Sequence, residues 1–135
     1  MGADSKTELV TAAIGAMARA YAPYSHFPVG AAIRDETGAV HIGANVENAA
    51  YPVGNCAEAS AIAAMVMAGG TQIAEIAVAG GDGVMLCTPC GACRQRIREF
   101  GKTDTPVLVC GPEGLIRRFT LGELLPESFG PENLG

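Results

Sequence analysis

Residues 57–68 read Ala-Glu-Ala-Ser-Ala-Ile-Ala-Ala-Met-Val-Met-Ala, with only two polar side chains, Glu58 and Ser60, both near the start. Gly69-Gly70 supplies a stop, so the segment predicts a helix that is apolar on every side. Such a helix has to be buried. In a chain of 135 residues one sheet can cover only one side of it. A sheet carrying this helix on one face is therefore expected, with another subunit covering part of the remainder.

Composition agrees with a single globular domain over 1–135: 49% of residues are hydrophobic and 17% charged, enough apolar material for one core. No internal repeat, low-complexity tract or domain boundary interrupts it. A net charge of -5 and an aromatic share of 5% argue against nucleic acid as the partner. Phosphate binding needs a basic face, and single-stranded bases need stacking platforms. A small, weakly charged substrate fits better. The sequence shows neither a secretion signal nor a stretch long and apolar enough to span a bilayer, so a cytoplasmic location is expected. Five cysteines is an odd count in such a chain, which points to thiols and metal rather than a disulfide framework.

The other elements follow from periodicity and turn chemistry. Ser5-Lys6-Thr7-Glu8 has the form of a capping box, and Val10, Ile14, Met17 and Tyr21 recur at helical spacing, predicting a helix over 5–20 that Pro23 ends. Residues 29–34 and 40–46 are β-prone runs separated by Asp35-Glu36-Thr37-Gly38, an antiparallel hairpin. A third strand is predicted at 73–79, a third long helix at 90–100, and strands at 107–110 and 115–121. The four-residue connection between the last two requires them to be antiparallel neighbours. The sum is an α/β protein with a mixed five-stranded sheet and helices on its faces. Met65, Met67 and Met85 read as core.

Chemistry concentrates at two of the helix starts. Cys56-Ala57-Glu58 lies upstream of Pro89-Cys90-Gly91-Ala92-Cys93. Asn55 and Thr88 are expected as N-caps, Pro89 at the first helical position, and Cys90 and Cys93 three apart on one face. Three thiolates leave a tetrahedral Zn²⁺ with one open position, and an unligated carboxylate beside it is what metal-activated water chemistry needs. Three thiolates around Zn²⁺ also carry one surplus negative charge, which positive helix ends offset. Two other readings stand beside this one. Cys-x-x-Cys at a helix start is also a redox dithiol pattern, and Cys87 is available to close a structural four-ligand site. Glu58 taken alone also fits the third helical position of a capping box. Cys110, in an apolar strand, reads as core, and His26 and His41 are isolated and left out of the site.

Across nearly its whole length the chain resembles the small homotetrameric cytidine deaminases. The matching motifs run in order from Tyr24-Ser25-His26-Phe27-Pro28-Val29-Gly30, through Asn45-Val46-Glu47-Asn48-Ala49 and the two cysteine segments, to Ser128-Phe129-Gly130-Pro131. The resemblance implies a three-layer α/β/α fold and a zinc enzyme that converts free cytidine and 2′-deoxycytidine to uridine and 2′-deoxyuridine with release of ammonia. It implies that Cys56, Cys90 and Cys93 hold zinc, that the bound hydroxide attacks C4 of cytosine, and that Glu58 takes the water's proton and delivers protons to N3 and the leaving amine. By the same resemblance Phe27 packs on the base, Asn45 and Glu47 hydrogen-bond the ribose hydroxyls, and the backbone at Ala57 meets the pyrimidine carbonyl. Phe129, with Tyr51 in the same region, resembles the aromatic contribution of a neighbouring subunit to a shared site in a homotetramer. A deaminase of another cytosine-bearing small molecule, such as blasticidin S, is the alternative, against which Asn45 and Glu47 favour a ribose.

One position departs from the pattern. Many relatives place Arg directly after the catalytic Glu, where it would hydrogen-bond the thiolates; here that residue is Ala59. Arg94 is the nearest cation in sequence that could stand in for it.

Overall fold

Two glycines set how closely the helices approach the sheet. In the computed structural model, which describes residues 5–135, a Cβ on Gly30 of β1 (Val29–Asp35) would lie 2.1 Å from the carbonyl oxygen of Ala13 in α1 (Ser5–Met17). A Cβ on Gly43 of β2 (Val40–Ala44) would lie 2.4 Å from the amide nitrogen of Ala61 in α2 (Ala57–Met67). Gly30 pairs with Ala44, and Gly43 with Ala31, across the antiparallel β1/β2 ladder. Neighbouring positions on a strand face opposite sides. The glycines therefore seat α1 on one face and α2 on the other.

The core divides the same way. Leu9, Val10 and Ala13 of α1 pack with Ala32, Ala77, Ala79, Leu108 and Cys110. On the opposite face Ala57, Ala61, Ile62 and Met65 of α2 pack with Ala31, Ile33, Ile76, Val78, Val107 and Val109, and Ile97 of α3 (Gly91–Phe100) joins them. This is the three-layer α/β/α arrangement. The buried stripe of α1 runs through Leu9, Ala13 and Ala16 rather than through Ile14 and Tyr21, because the close approach at Gly30 admits only small side chains. Tyr21 lies beyond the helix and pairs with Val46 as an isolated bridge. The capping box expected at residues 5–8 rests on a Ser5 side chain outside the described ones.

The sheet order is β2-β1-β3-β4-β5, with β3 at Ile73–Gly80, β4 at Pro106–Gly111 and β5 at Gly114–Thr120. β1 is antiparallel to both of its neighbours, β3 and β4 are parallel, and β4 and β5 are antiparallel as their short connection requires. The parallel pair needs a crossover, which α3 supplies. β5 ends one residue early because Thr120 caps a short helix, α4 (Leu121–Leu124), through a capping box with Glu123. That box went unread in the sequence.

The sheet covers one side of α2 only. Ala57, Glu58, Ala61, Ile62 and Met65 are buried, whereas Val66 and Met67 are 48% and 85% exposed in the single chain. Met67 and Met85 are therefore not core, although Met65 is. Met67 falls on the outward face of α2, and Met85 lies in the loop at 81–90 between β3 and α3. Among the described residues no helix is long and apolar enough to cross a membrane.

Candidate active site

The two cysteine-bearing segments do converge, with the caps shifted by one and two residues from expectation. Cys56 is itself the N-cap of α2 and Cys90 the N-cap of α3, each with extended backbone. Their carbonyls accept the first helical bonds, from Ser60 N at 3.1 Å and Arg94 N at 2.9 Å. Asn55 is instead tied by its backbone to Val46, and Thr88 Oγ1 accepts from Arg94. The reason is the tight turn into each helix, which puts the thiol where a capping side chain sits, beside amides that lack an intrahelical partner.

Cys56, Glu58 and Cys93 each offer a ligand atom within 4.8 Å of the other two. Cys93 is wholly buried and Glu58 is 4% exposed. Hydrogen bonding from Cys93 draws the Cys56 thiol down to about 6, helped by the Ala59 amide and Arg96. The same bond pushes the Cys93 thiol up, as do burial and the nearby Glu58, Cys56 and Cys90. Burial raises the Glu58 carboxyl, and the negative charge of Cys56 adds to the rise. Cys90 is exposed and its sulfur stands outside the compact group, though near enough to act on Cys93. Cys87 lies in the loop between β3 and α3. It packs over Gly80, outside that group, and its thiol is raised by burial and by Glu58. Cys110 is buried in β4, where desolvation holds its thiol up at about 11.

These donors suit zinc: soft thiols, one of them readily ionised, with a buried carboxyl and a guanidinium at hand. The guanidinium is not the one anticipated. Arg94 is spent on the Pro89 and Leu124 carbonyls, at 2.7 and 2.8 Å, and on Thr88. Arg96 instead donates from one nitrogen to Cys56 Sγ at 3.6 Å and Cys93 Sγ at 3.5 Å. Sequence spacing contained the signal, since Arg96 follows Cys93 by three residues on the same helical face.

Beside the thiols, Asn45, Glu47 and Cys56 line one cavity of about 490 Å³ together with Tyr24, Tyr51 and Asn55. β2 ends at Ala44, so Asn45 and Glu47 lie just beyond the strand. The bridge at Val46 keeps the alternation that turns both toward the cavity. Both support the 24–29 turn: Asn45 Oδ1 accepts from Val29 N at 2.8 Å, and Asn45 Nδ2 donates to the Phe27 carbonyl at 3.1 Å. Glu47 accepts from the amides of Tyr24 and Ser25 and from the Ser25 hydroxyl, which holds its carboxyl low. Phe27 is 46% exposed beside Gly81, and Ala57 is buried as the first residue of α2. Phe129, 57% exposed, does not line this cavity; its carbonyl accepts from Gln95 at 2.8 Å. Among the two histidines, His41 pairs with Asp35 at 2.7 Å and His26 stands in the exposed turn near Glu47.

Residues 3–109 match the family model described as the cytidine and deoxycytidylate deaminase zinc-binding region. A curated cytidine deaminase from Sporosarcina psychrophila is 41% identical over 94% of this chain and 93% of its own. The crystal structure of cytidine deaminase from Burkholderia pseudomallei superposes with a TM-score of 0.84 at 44% identity, over 90% of this chain and 97% of that one. That of cytidine deaminase from Mycobacterium tuberculosis gives 0.78 at 38% identity, over 91% and 95%.

Proposed function

Since this chain belongs to the cytidine and deoxycytidylate deaminase family, we propose that it hydrolyses free cytidine and 2′-deoxycytidine to uridine and 2′-deoxyuridine, releasing ammonia. One observation carries the reading. The Glu58 carboxylate, 4% exposed, stands within 4.8 Å of the sulfurs of Cys56 and Cys93, and Cys56 lines a nucleoside-sized cavity together with Asn45 and Glu47.

Cys56, Cys90 and Cys93 would hold the ion, leaving Glu58 free. Bound zinc supplies a Lewis acid that makes water acidic near neutral pH. A soft thiol at Cys90, on the same helix as Cys93, suits it better as third donor than a carboxylate does. Glu58 then takes the proton of the attacking water and passes protons to N3 and the departing amine. Its raised pKa, due to burial, brings it closer to the pH at which it works, so that one group both accepts and returns a proton.

Substrate contacts follow from unused hydrogen-bonding capacity. A carboxylate has about four acceptor sites, and Glu47 accepts three bonds from the 24–29 turn. Asn45 keeps one amide hydrogen. Both are thus prepared to take ribose hydroxyls. Phe27 packs on the base, the Ala57 amide, free at the first position of α2, meets the pyrimidine carbonyl, and Phe129 reaches a neighbouring subunit's site. A homotetramer is supported by the outward apolar face of α2 and by the exposure of Tyr51 and Phe129, at 74% and 57%. We read residues 1–135 as one deaminase domain acting in pyrimidine salvage in the cytoplasm, where thiols stay reduced. No nucleic acid or membrane partner is part of this reading.

The test is the absorbance change on cytidine, 2′-deoxycytidine and blasticidin S with zinc quantified in the same sample. Turnover of both nucleosides by a zinc-loaded protein is expected. Turnover of blasticidin S alone, or of none of them at full zinc occupancy, would overturn it.

A further inference from the structure

We propose that Arg96 is a positioning residue for the zinc centre: its guanidinium bridges the sulfurs of Cys56 and Cys93 and supplies the countercharge that no residue at position 59 can supply here. The inference rests on the ligand reading above. Its geometric basis is a single nitrogen of Arg96 at 3.6 and 3.5 Å from sulfurs on two different helices. This shared contact crosses from α3 back to the start of α2, so it ties together the two helix starts that bear the ligands. Three thiolates around Zn²⁺ leave one surplus negative charge, and one guanidinium matches it.

Position 59 shows why the cation comes from this place. Ala59 and Arg96 line the same cavity, of about 450 Å³, together with Ile62, Ala63 and Phe100. A long side chain at 59 would compete for the space through which Arg96 reaches the sulfurs, whereas alanine leaves it open. Lysine at 96 keeps the charge but presents a compact, strongly hydrated ammonium in place of a weakly hydrated guanidinium, so it replaces the contact only in part. Arg94 is excluded by its bonds to the Pro89 and Leu124 carbonyls. Arg96 is exposed and lies outside the lining of the cavity that holds Asn45 and Glu47, so it acts through the thiolates rather than on the base.

Cobalt-substituted protein reads the proposal directly. N–H···S hydrogen bonds lower the energy of sulfur lone pairs, so Arg96→Ala should move the thiolate-to-cobalt charge-transfer band to longer wavelength. The same variant, loaded with zinc, should lose metal to iodoacetamide roughly two- to fivefold faster, the scale of an exposed charge pair. Ala59→Arg placed in the Arg96→Ala background should return both readouts toward the parent, and Arg96→Lys should fall between. A merely structural role for Arg96 would alter the melting temperature without moving the band. A band present in the parent and unmoved in Arg96→Ala overturns the role of Arg96 alone. Absence of any thiolate band in the parent overturns the ligand reading and this proposal with it.

Discussion

Gly43→Ala tests the link between the sheet and the catalytic end of α2. The added Cβ would lie 2.4 Å from the Ala61 amide nitrogen and 2.8 Å from the Ala57 carbonyl oxygen. Both are backbone atoms of the helix that begins at Cys56, so no side chain can swing aside. Ordinary contact begins at 3.4 Å, and restoring it requires α2 to withdraw by ~1 Å in an interior packed at crystal density. Overpacking of this kind costs about 1–3 kcal/mol. At roughly 3–4 °C per kcal/mol for a chain of this size, melting should fall by about 3–12 °C. The same displacement moves Cys56 and Glu58 relative to Cys93, and misplacement by ~1 Å can cost ~10²-fold in turnover. Gly15→Ala is the matched control: in α1 a Cβ there meets nothing within 4 Å. It should stabilise by about 0.5–1 kcal/mol, leaving turnover unchanged. Calorimetry and the cytidine absorbance assay on zinc-loaded protein read both variants. If Gly43→Ala melts within about 1 °C of the parent and keeps its turnover, the close approach at Gly43 does not fix the site.

Glu58→Gln should retain zinc but lose at least ~10²-fold in turnover, the scale of positioned proton transfer; metal analysis beside kinetics separates the two. Cys90→Ala should lose zinc and part of the folding free energy that binding supplies, and full zinc occupancy by emission spectrometry would remove Cys90 from the ligand set. Hydrogen bonding to His41, and then to Thr37, holds the Asp35 carboxyl well below the usual carboxylate range. Its stabilisation is therefore complete above the ordinary value near ~3.9 and fades as pH falls below it. Asp35→Asn should melt lower than the parent at pH 7, with the gap narrowing below about pH 4; a gap constant with pH would show that the charge is immaterial. Arg98 donates to Ser128 at 2.9 Å and to Glu132 at 2.8 Å, and the Gly130 backbone lies against its guanidinium. Arg98→Ala should raise amide exchange across residues 126–135 by about tenfold or more, because the bonds that oppose local opening are lost.

Much of the architecture was legible along the chain, because periodicity and turn residues act locally. The apolar run at 57–68, the turn at 35–38 and the short link before residue 115 were enough to imply the helices, the hairpin and the antiparallel outer pair. The cysteine segments at two helix starts were legible for the same reason, since ligand spacing and helix geometry are both short-range. What sequence left open concerned reach and facing. It could not distinguish Arg94 from Arg96, one residue of which turns to the Leu124 carbonyl and the other to the thiols. It took Met67 and Met85 for core, because hydrophobicity says what wants burial and not which face of a helix the sheet covers. It also placed the caps upstream of Cys56 and Cys90, where the turns into α2 and α3 put the thiols themselves at the helix ends. Chain composition and spacing thus determined which chemistry this protein can carry, while only the packing of α2 and α3 on one sheet face decided which guanidinium meets the sulfurs, since a side chain's partner depends on distances between elements far apart in sequence.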